Sequence, residues 1–92
     1  MQSIFQIGVN YLLVDTSYLP NFSEGIEYDL VLTQKDCQRE KLIAVANLCG
    51  DKIQLTFTLK RCLPTLEKWK VDIYEKNTQN LLYSLYVQVY PI

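Results

Sequence analysis

The chain has 92 residues, 49% of them apolar and 21% charged, with a formal net charge of −1. This suits one folded domain over 1–92 and lacks the basic excess of nucleic-acid binders. It contains no histidine, which removes the commonest general base, the usual catalytic triads and most zinc sites.

In "MQSIFQIGVNYLLVD" the residues Phe5, Ile7, Val9, Tyr11 and Leu13 alternate with Gln6, Gly8 and Asn10. This predicts a strand over 3–14 that buries the Phe5–Leu13 set. The segment has no positively charged start and meets Asp15 early, so it reads as no signal peptide. "TSYLPNFSEG", residues 16–25, is a loop by composition. Its Asn21-Phe22-Ser23 triplet fits a glycosylation sequon and is read as chance. A second strand follows over 26–33, with Ile26, Tyr28, Leu30 and Leu32 inward. Glu24, Glu27 and Asp29 are read as solvated outer charges.

Residues 34–49 admit two readings. Thr33 and Asp36 have capping-box spacing, Leu42, Val45, Ala46 and Cys49 share a helical face, and Gly50 could follow a C-cap. The strand reading is more demanding. Gly50-Asp51 is a two-residue hairpin turn that pairs Cys49 with Lys52. Leu48 then faces Ile53, Ala46 faces Leu55, Ala44 faces Phe57 and Leu42 faces Leu59. Small residues oppose large ones, as a packed core requires. Strands over 39–49 and 52–62 are therefore expected, the second with Thr56 and Thr58 outward.

"WKVDIYEKNTQNLLYSLYVQVY", residues 69–90, reads as a last hairpin with strands over 68–76 and 81–90. A three-residue loop, Thr78-Gln79-Asn80, puts Ile73 opposite Leu85, Val71 opposite Val87 and Trp69 opposite Val89. Asn80 is then expected in the left-handed region.

Six antiparallel strands with one apolar face each imply an all-β fold, a small antiparallel β-sandwich or open barrel. The alternative is α+β with one helix at 34–49. No apolar run is long enough to span a bilayer. Cys37, Cys49 and Cys62 do not have metal-ligand spacing, and an odd number of thiols without a secretion signal predicts free thiols and a cytoplasmic location. No Gly-rich phosphate loop is present.

No catalytic, cofactor or metal residues emerge, and the chain is read as a non-enzyme. The last strand has no properly polar side: Leu82, Ser84, Tyr86, Gln88 and Tyr90 face outward. The reading is a non-catalytic protein-interaction or self-assembly module using the outer face of the 68–90 hairpin. Tyr74, Tyr86 and Tyr90 are the anchors, with Lys68 and Lys70 beside them. The partner is another protein or a second copy, not nucleic acid. The alternative is a small-ligand-binding β-barrel or sandwich with its mouth near the 15–25 loop, at Tyr18 and Phe22.

Overall fold

The computed structural model describes residues 8–34, 39–59 and 68–88. They form six strands: β1 (Gly8–Asp15), β2 (Glu27–Gln34), β3 (Arg39–Cys49), β4 (Lys52–Leu59), β5 (Lys68–Glu75) and β6 (Leu81–Gln88). One short 3-10 turn, Thr16–Tyr18, follows β1. Among the described residues of the 34–49 region, 39–49 form a strand, as the hairpin argument requires, and not a helix. All neighbours are antiparallel, in the order β1-β4-β3-β2-β5-β6, and the sheet curls into a half-barrel. Strands β2, β3 and β4 form a meander, and β1 lies against β4, which is Greek-key order. The edges β1 and β6 do not pair with each other among the described residues. Residues 1–7, 35–38, 60–67 and 89–92, including Cys37, Cys62 and Tyr90, lie outside the described set.

The concave face holds the core. It contains Tyr28, Leu30 and Leu32 of β2, Ala44 and Ala46 of β3, and Ile53, Leu55, Phe57 and Leu59 of β4. Trp69, Val71 and Ile73 of β5 and Val87 of β6 complete the sheet's share. Leu19, with the partly buried Phe22 and Ile26, folds in from the loop after β1. Ala44 is flanked by Tyr28 on β2, and Ala46 by Leu55 on β4, so the small residues leave room for large neighbours.

Strand β1 turns over the expected inner face. Leu12 and Val14 are buried opposite Leu55 and Ile53, and Asn10 is buried with its Nδ2 donating to the Gly8 carbonyl at 3.1 Å. Val9, Tyr11 and Leu13 point outward. The physical reason is that "YLLV" offers an apolar set to either face, so pairing with β4 decides which set is covered.

The β3–β4 turn is as expected, with Gly50 at φ +63° and Cys49 opposite Lys52. The ladder runs to Val45 opposite Thr56 and goes no further among the described residues. The expected pairs Ala44–Phe57 and Leu42–Leu59 are not made. There β3 stays with β2 and β4 stays with β1, so the sheet forks. A further departure is Leu48, 54% exposed at the hairpin tip, where its N–H donates to Glu24 Oε1 at 2.5 Å.

The last hairpin is shifted by two residues from the expected register. Trp69 faces Val87, Val71 faces Leu85 and Ile73 faces Tyr83. A four-residue loop, 76–79, closes the hairpin: the Glu75 N–H donates to the Asn80 carbonyl, and the Gln79 N–H to the Glu75 carbonyl. Gln79, not Asn80, has positive φ, at +60°. Such a loop puts the strands out of phase by one residue. A register shift between Ile73 and Tyr74 restores the alternation, because Tyr74 pairs with Leu81 while Ile73 pairs with Tyr83.

Candidate functional surface

The ladders fix which side chains share the convex face. Tyr11, Thr56, Val45 and Glu27 form one row across β1, β4, β3 and β2. Ile43, Asp29 and Tyr74 form the next, and Lys41, Val31, Asp72 and Ser84 another. Thr33, Lys70 and Tyr86 form a fourth. This single face has two unlike halves.

Around β5 the face covers itself. Asp29 is only 7% exposed, and Gln79 reaches back from the hairpin loop to donate its Nε2 to Asp29 Oδ2 at 2.7 Å. Asp72, nearly as buried, accepts the Ser84 hydroxyl at 2.5 Å and lies 3.7 Å from Lys70 Nζ. The expectation that Asp29 is merely solvated is thus corrected. Glu24 and Glu27 are exposed, but each has a partner: Glu24 takes the Leu48 N–H, and Glu27 pairs with Lys76 at 2.5 Å. The Glu27 carboxylate raises the Lys76 ammonium above its usual value through their hydrogen bond.

The residues singled out from the sequence fall on this half. Lys68 is exposed, Lys70 is half-buried beside Asp72, and Tyr74 is half-buried opposite Asp29. Tyr86 is 60% exposed and pairs with Lys70. Tyr90 lies outside the described residues. The structure brings Lys70 and Tyr86 together, and holds Tyr74 two rows away.

The β1–β4–β3 half is bare. Tyr11 is 58% exposed and Ile43 51%, with Val9, Leu13 and Val45 also uncovered. Between them stand Gln54, Thr56 and Thr58 of β4, so no charged side chain interrupts the row of three strands from Val9 to Val45. Where β3 and β4 part, a cleft of about 540 Å³ opens, lined by Glu40, Lys41, Ile43, Val45, Thr56 and Thr58 among others. Sequence reasoning missed this surface because it assigned Val9, Tyr11 and Leu13 to the core. The available signal was the uninterrupted apolar run in β1, together with Ile43 and Val45 alternating with two alanines in β3.

A second concavity, about 350 Å³, lies at the seam between β1 and β6. Leu13, Asp15, Tyr18, Lys52, Tyr83 and Tyr86 line it. Tyr18 and Tyr83 stack across the seam with ring centroids 3.9 Å apart and planes 13° from parallel. Burial first, and then the neighbouring Tyr18, pushes the Tyr83 hydroxyl up from its ordinary value. Lys52 and Asp15 form an ion pair at the rim, and that hydrogen bond raises the Lys52 ammonium. Tyr18 therefore reaches this concavity, whereas Phe22 packs against the core.

Cys49 is a free, exposed thiol. Among the described residues no group of three or more Cys, Asp or Glu is placed to hold a metal ion, and no helix is long and apolar enough to cross a membrane. No family model matches the chain, and neither the curated proteins nor the solved structures contain a significant match to it.

Proposed function

We propose that this chain is a non-catalytic protein-interaction module whose contact surface is the bare β1–β4–β3 half of the convex face. One observation carries the reading: five large apolar side chains, Val9, Tyr11, Leu13, Ile43 and Val45, stand exposed on one face, with only Gln54, Thr56 and Thr58 between the β1 and β3 sets. Contiguous apolar patches of this kind mark interaction sites, and a charge-depleted centre with an aromatic anchor is the usual composition of an interface core. Tyr86 extends the set of exposed anchors at the far edge of the sheet, but its neighbours Lys70, Asp72 and Ser84 already engage one another. Among the described residues, the β1–β4–β3 half has no such internal partners for its apolar groups.

The test is site-specific photo-crosslinking in the native source. A crosslinking residue at position 43 is expected to give a discrete protein adduct, and one at position 77, exposed in the hairpin loop, is expected to give none. Equal adducts at both positions, or none at 43, overturn the reading.

The seam between β1 and β6 supports a second reading, a small ligand held by Tyr18, Tyr83 and Tyr86 in the 350 Å³ concavity. Aromatic faces beside an Asp–Lys pair suit a ring with polar substituents. Chemical-shift titration with simple sugars, read at Tyr18 and Tyr83, decides it. No shift at millimolar ligand removes the sugar version.

A further inference from the structure

We infer that the stacked pair Tyr18 and Tyr83 is an oxidative cross-linking site, where a peroxide-driven oxidation joins the two rings as an intramolecular dityrosine and closes the seam of the half-barrel. The site is separate from the contact surface of the bare half.

The pair spans the open side of the sheet. Tyr83 belongs to β6, Tyr18 to the short turn that follows β1, and β1 and β6 are the two edges. The ring centroids are 3.9 Å apart and the planes 13° from parallel. Carbons of the two rings are therefore already at van der Waals contact, about 3.5–4 Å. Near-parallel planes aim the π orbitals of one ring at the other, which is the overlap that coupling of two phenoxyl radicals uses. The hydroxyls lie at the same end of the stack: burial first, and then the charge and hydrogen bond of Tyr18, push the Tyr83 hydroxyl up. The ortho carbons beside them, which carry much of a phenoxyl radical's unpaired spin, face each other. A carbon–carbon single bond is about 1.5 Å long, so the rings must close further. Tyr18 stands on a three-residue turn with no buried residue, which is free to follow.

The chemistry balances. Each phenol gives one electron and its hydroxyl proton to the oxidant. One ortho carbon of each ring forms the new bond, and the hydrogen on that carbon moves to the ring's own oxygen, restoring two phenols. The chain loses two hydrogen atoms, and one hydrogen peroxide, acting through a peroxidase, becomes two waters. The fold supplies the proximity: positioned partners react at effective concentrations far above those of free chains. Tyr11 and Tyr86 are more exposed, but neither stacks on another tyrosine among the described residues. The link joins residues 65 positions apart and so removes conformations from the unfolded chain, which stabilises the fold.

Peroxidase with limiting hydrogen peroxide tests the inference, with every sample reduced before mass spectrometry so that no disulfide counts as a link. The expected product has the monomer mass less two hydrogens, joins Tyr18 to Tyr83 in the peptide map, and forms to the same fraction when the chain is ten times more concentrated. Tyr18→Phe and Tyr83→Phe keep the ring and lose the phenol, so each should reduce the product tenfold or more. Tyr11→Phe and Tyr86→Phe should leave it within twofold. Oxidation in urea above the unfolding midpoint should lower the Tyr18–Tyr83 link fivefold or more. The purified product should unfold at a higher urea midpoint than the untreated chain. A map that joins other tyrosines instead, a link that survives either of the first two variants, or an equal yield in urea overturns the site. Products that form only between chains overturn it as well. A linked chain with an unchanged midpoint overturns the closing of the seam.

Discussion

The two halves of the convex face lie on the same sheet and treat their outward side chains in opposite ways. On the β2–β5–β6 half, acidic groups are nearly buried and each has a donor: Gln79 for Asp29, and Ser84 for Asp72. On the β1–β4–β3 half, Tyr11 and Ile43 are more than half exposed among threonines and glutamine. The first half meets its polar requirements from within the described residues. The second leaves apolar area exposed among the described residues, where burial would be favourable. Exposure of single residues does not distinguish the halves, since Tyr86 is as exposed as Tyr11. What distinguishes them is whether the neighbours are polar and mutually satisfied.

The largest expected effect breaks the self-covered half. Ser84→Ala removes the hydroxyl that donates to Asp72, and should destabilise the fold by about 1–3 kcal/mol, read as a fall in urea midpoint at neutral pH. A change within error would mean that water reaches Asp72 freely, and the contrast between the halves would weaken.

Gln79 sharpens the same contrast. Both Gln79→Ala and Gln79→Gly lose the bond to Asp29, but only glycine relieves the positive φ. Both variants should be less stable than wild type, with glycine above alanine by about 1 kcal/mol. Equal midpoints would show that the loop relaxes out of the left-handed region.

Beneath the covered half lies a group that is not satisfied. The buried Tyr28 hydroxyl has no hydrogen-bond partner among the described residues. Tyr28→Phe should therefore cost nothing, and should gain up to about 1 kcal/mol. Burial first, and then the Glu75 carboxylate, raises the Tyr28 hydroxyl above its ordinary value of 10.0. A raised value in the folded state means that the neutral hydroxyl is favoured by folding. That contribution is complete below about pH 10 and is lost as pH rises from there through the folded value. Alkaline urea melts should show a smaller loss of stability in Tyr28→Phe than in wild type. An identical alkaline limb in both proteins would remove Tyr28 from the explanation.

The smallest effect is expected on the bare half. Ile43→Ser, measured where the chain is monomeric, should shift folding stability by no more than about 0.5 kcal/mol. A loss comparable to that of Ser84→Ala would erase the distinction between the halves.

Some of this was legible in the residues. Strands β2, β4 and β5 follow from two-residue periodicity, because Ile53, Leu55, Phe57 and Leu59, or Trp69, Val71 and Ile73, alternate with polar partners and leave one choice of inner face, whereas residues 34–49 kept a helical alternative that only the hairpin pairing weighed against. The Gly50-Asp51 turn fixes its hairpin locally, because a two-residue turn has few geometries. The candidate surface was not legible. It rests on the inversion of β1, and "VNYLLV" has an apolar set on each side. A polar Asn10 argues for the other orientation, yet it is buried and hydrogen-bonded to Gly8. The seam stack of Tyr18 on Tyr83 joins residues 65 positions apart in the chain, and no local pattern announces it.

The sequence by itself therefore pointed to the all-β class, the tight turn at Gly50-Asp51 and the inner faces of β2, β4 and β5. Each of these depends on neighbours close in the chain. Tertiary structure alone decided the inner face of β1, the fork between β3 and β4, and the shift that rephases the last hairpin. In each, the local pattern allows two pairings of similar burial. The choice falls to the partner strand, because a slip of one residue exchanges every buried side chain for an exposed one.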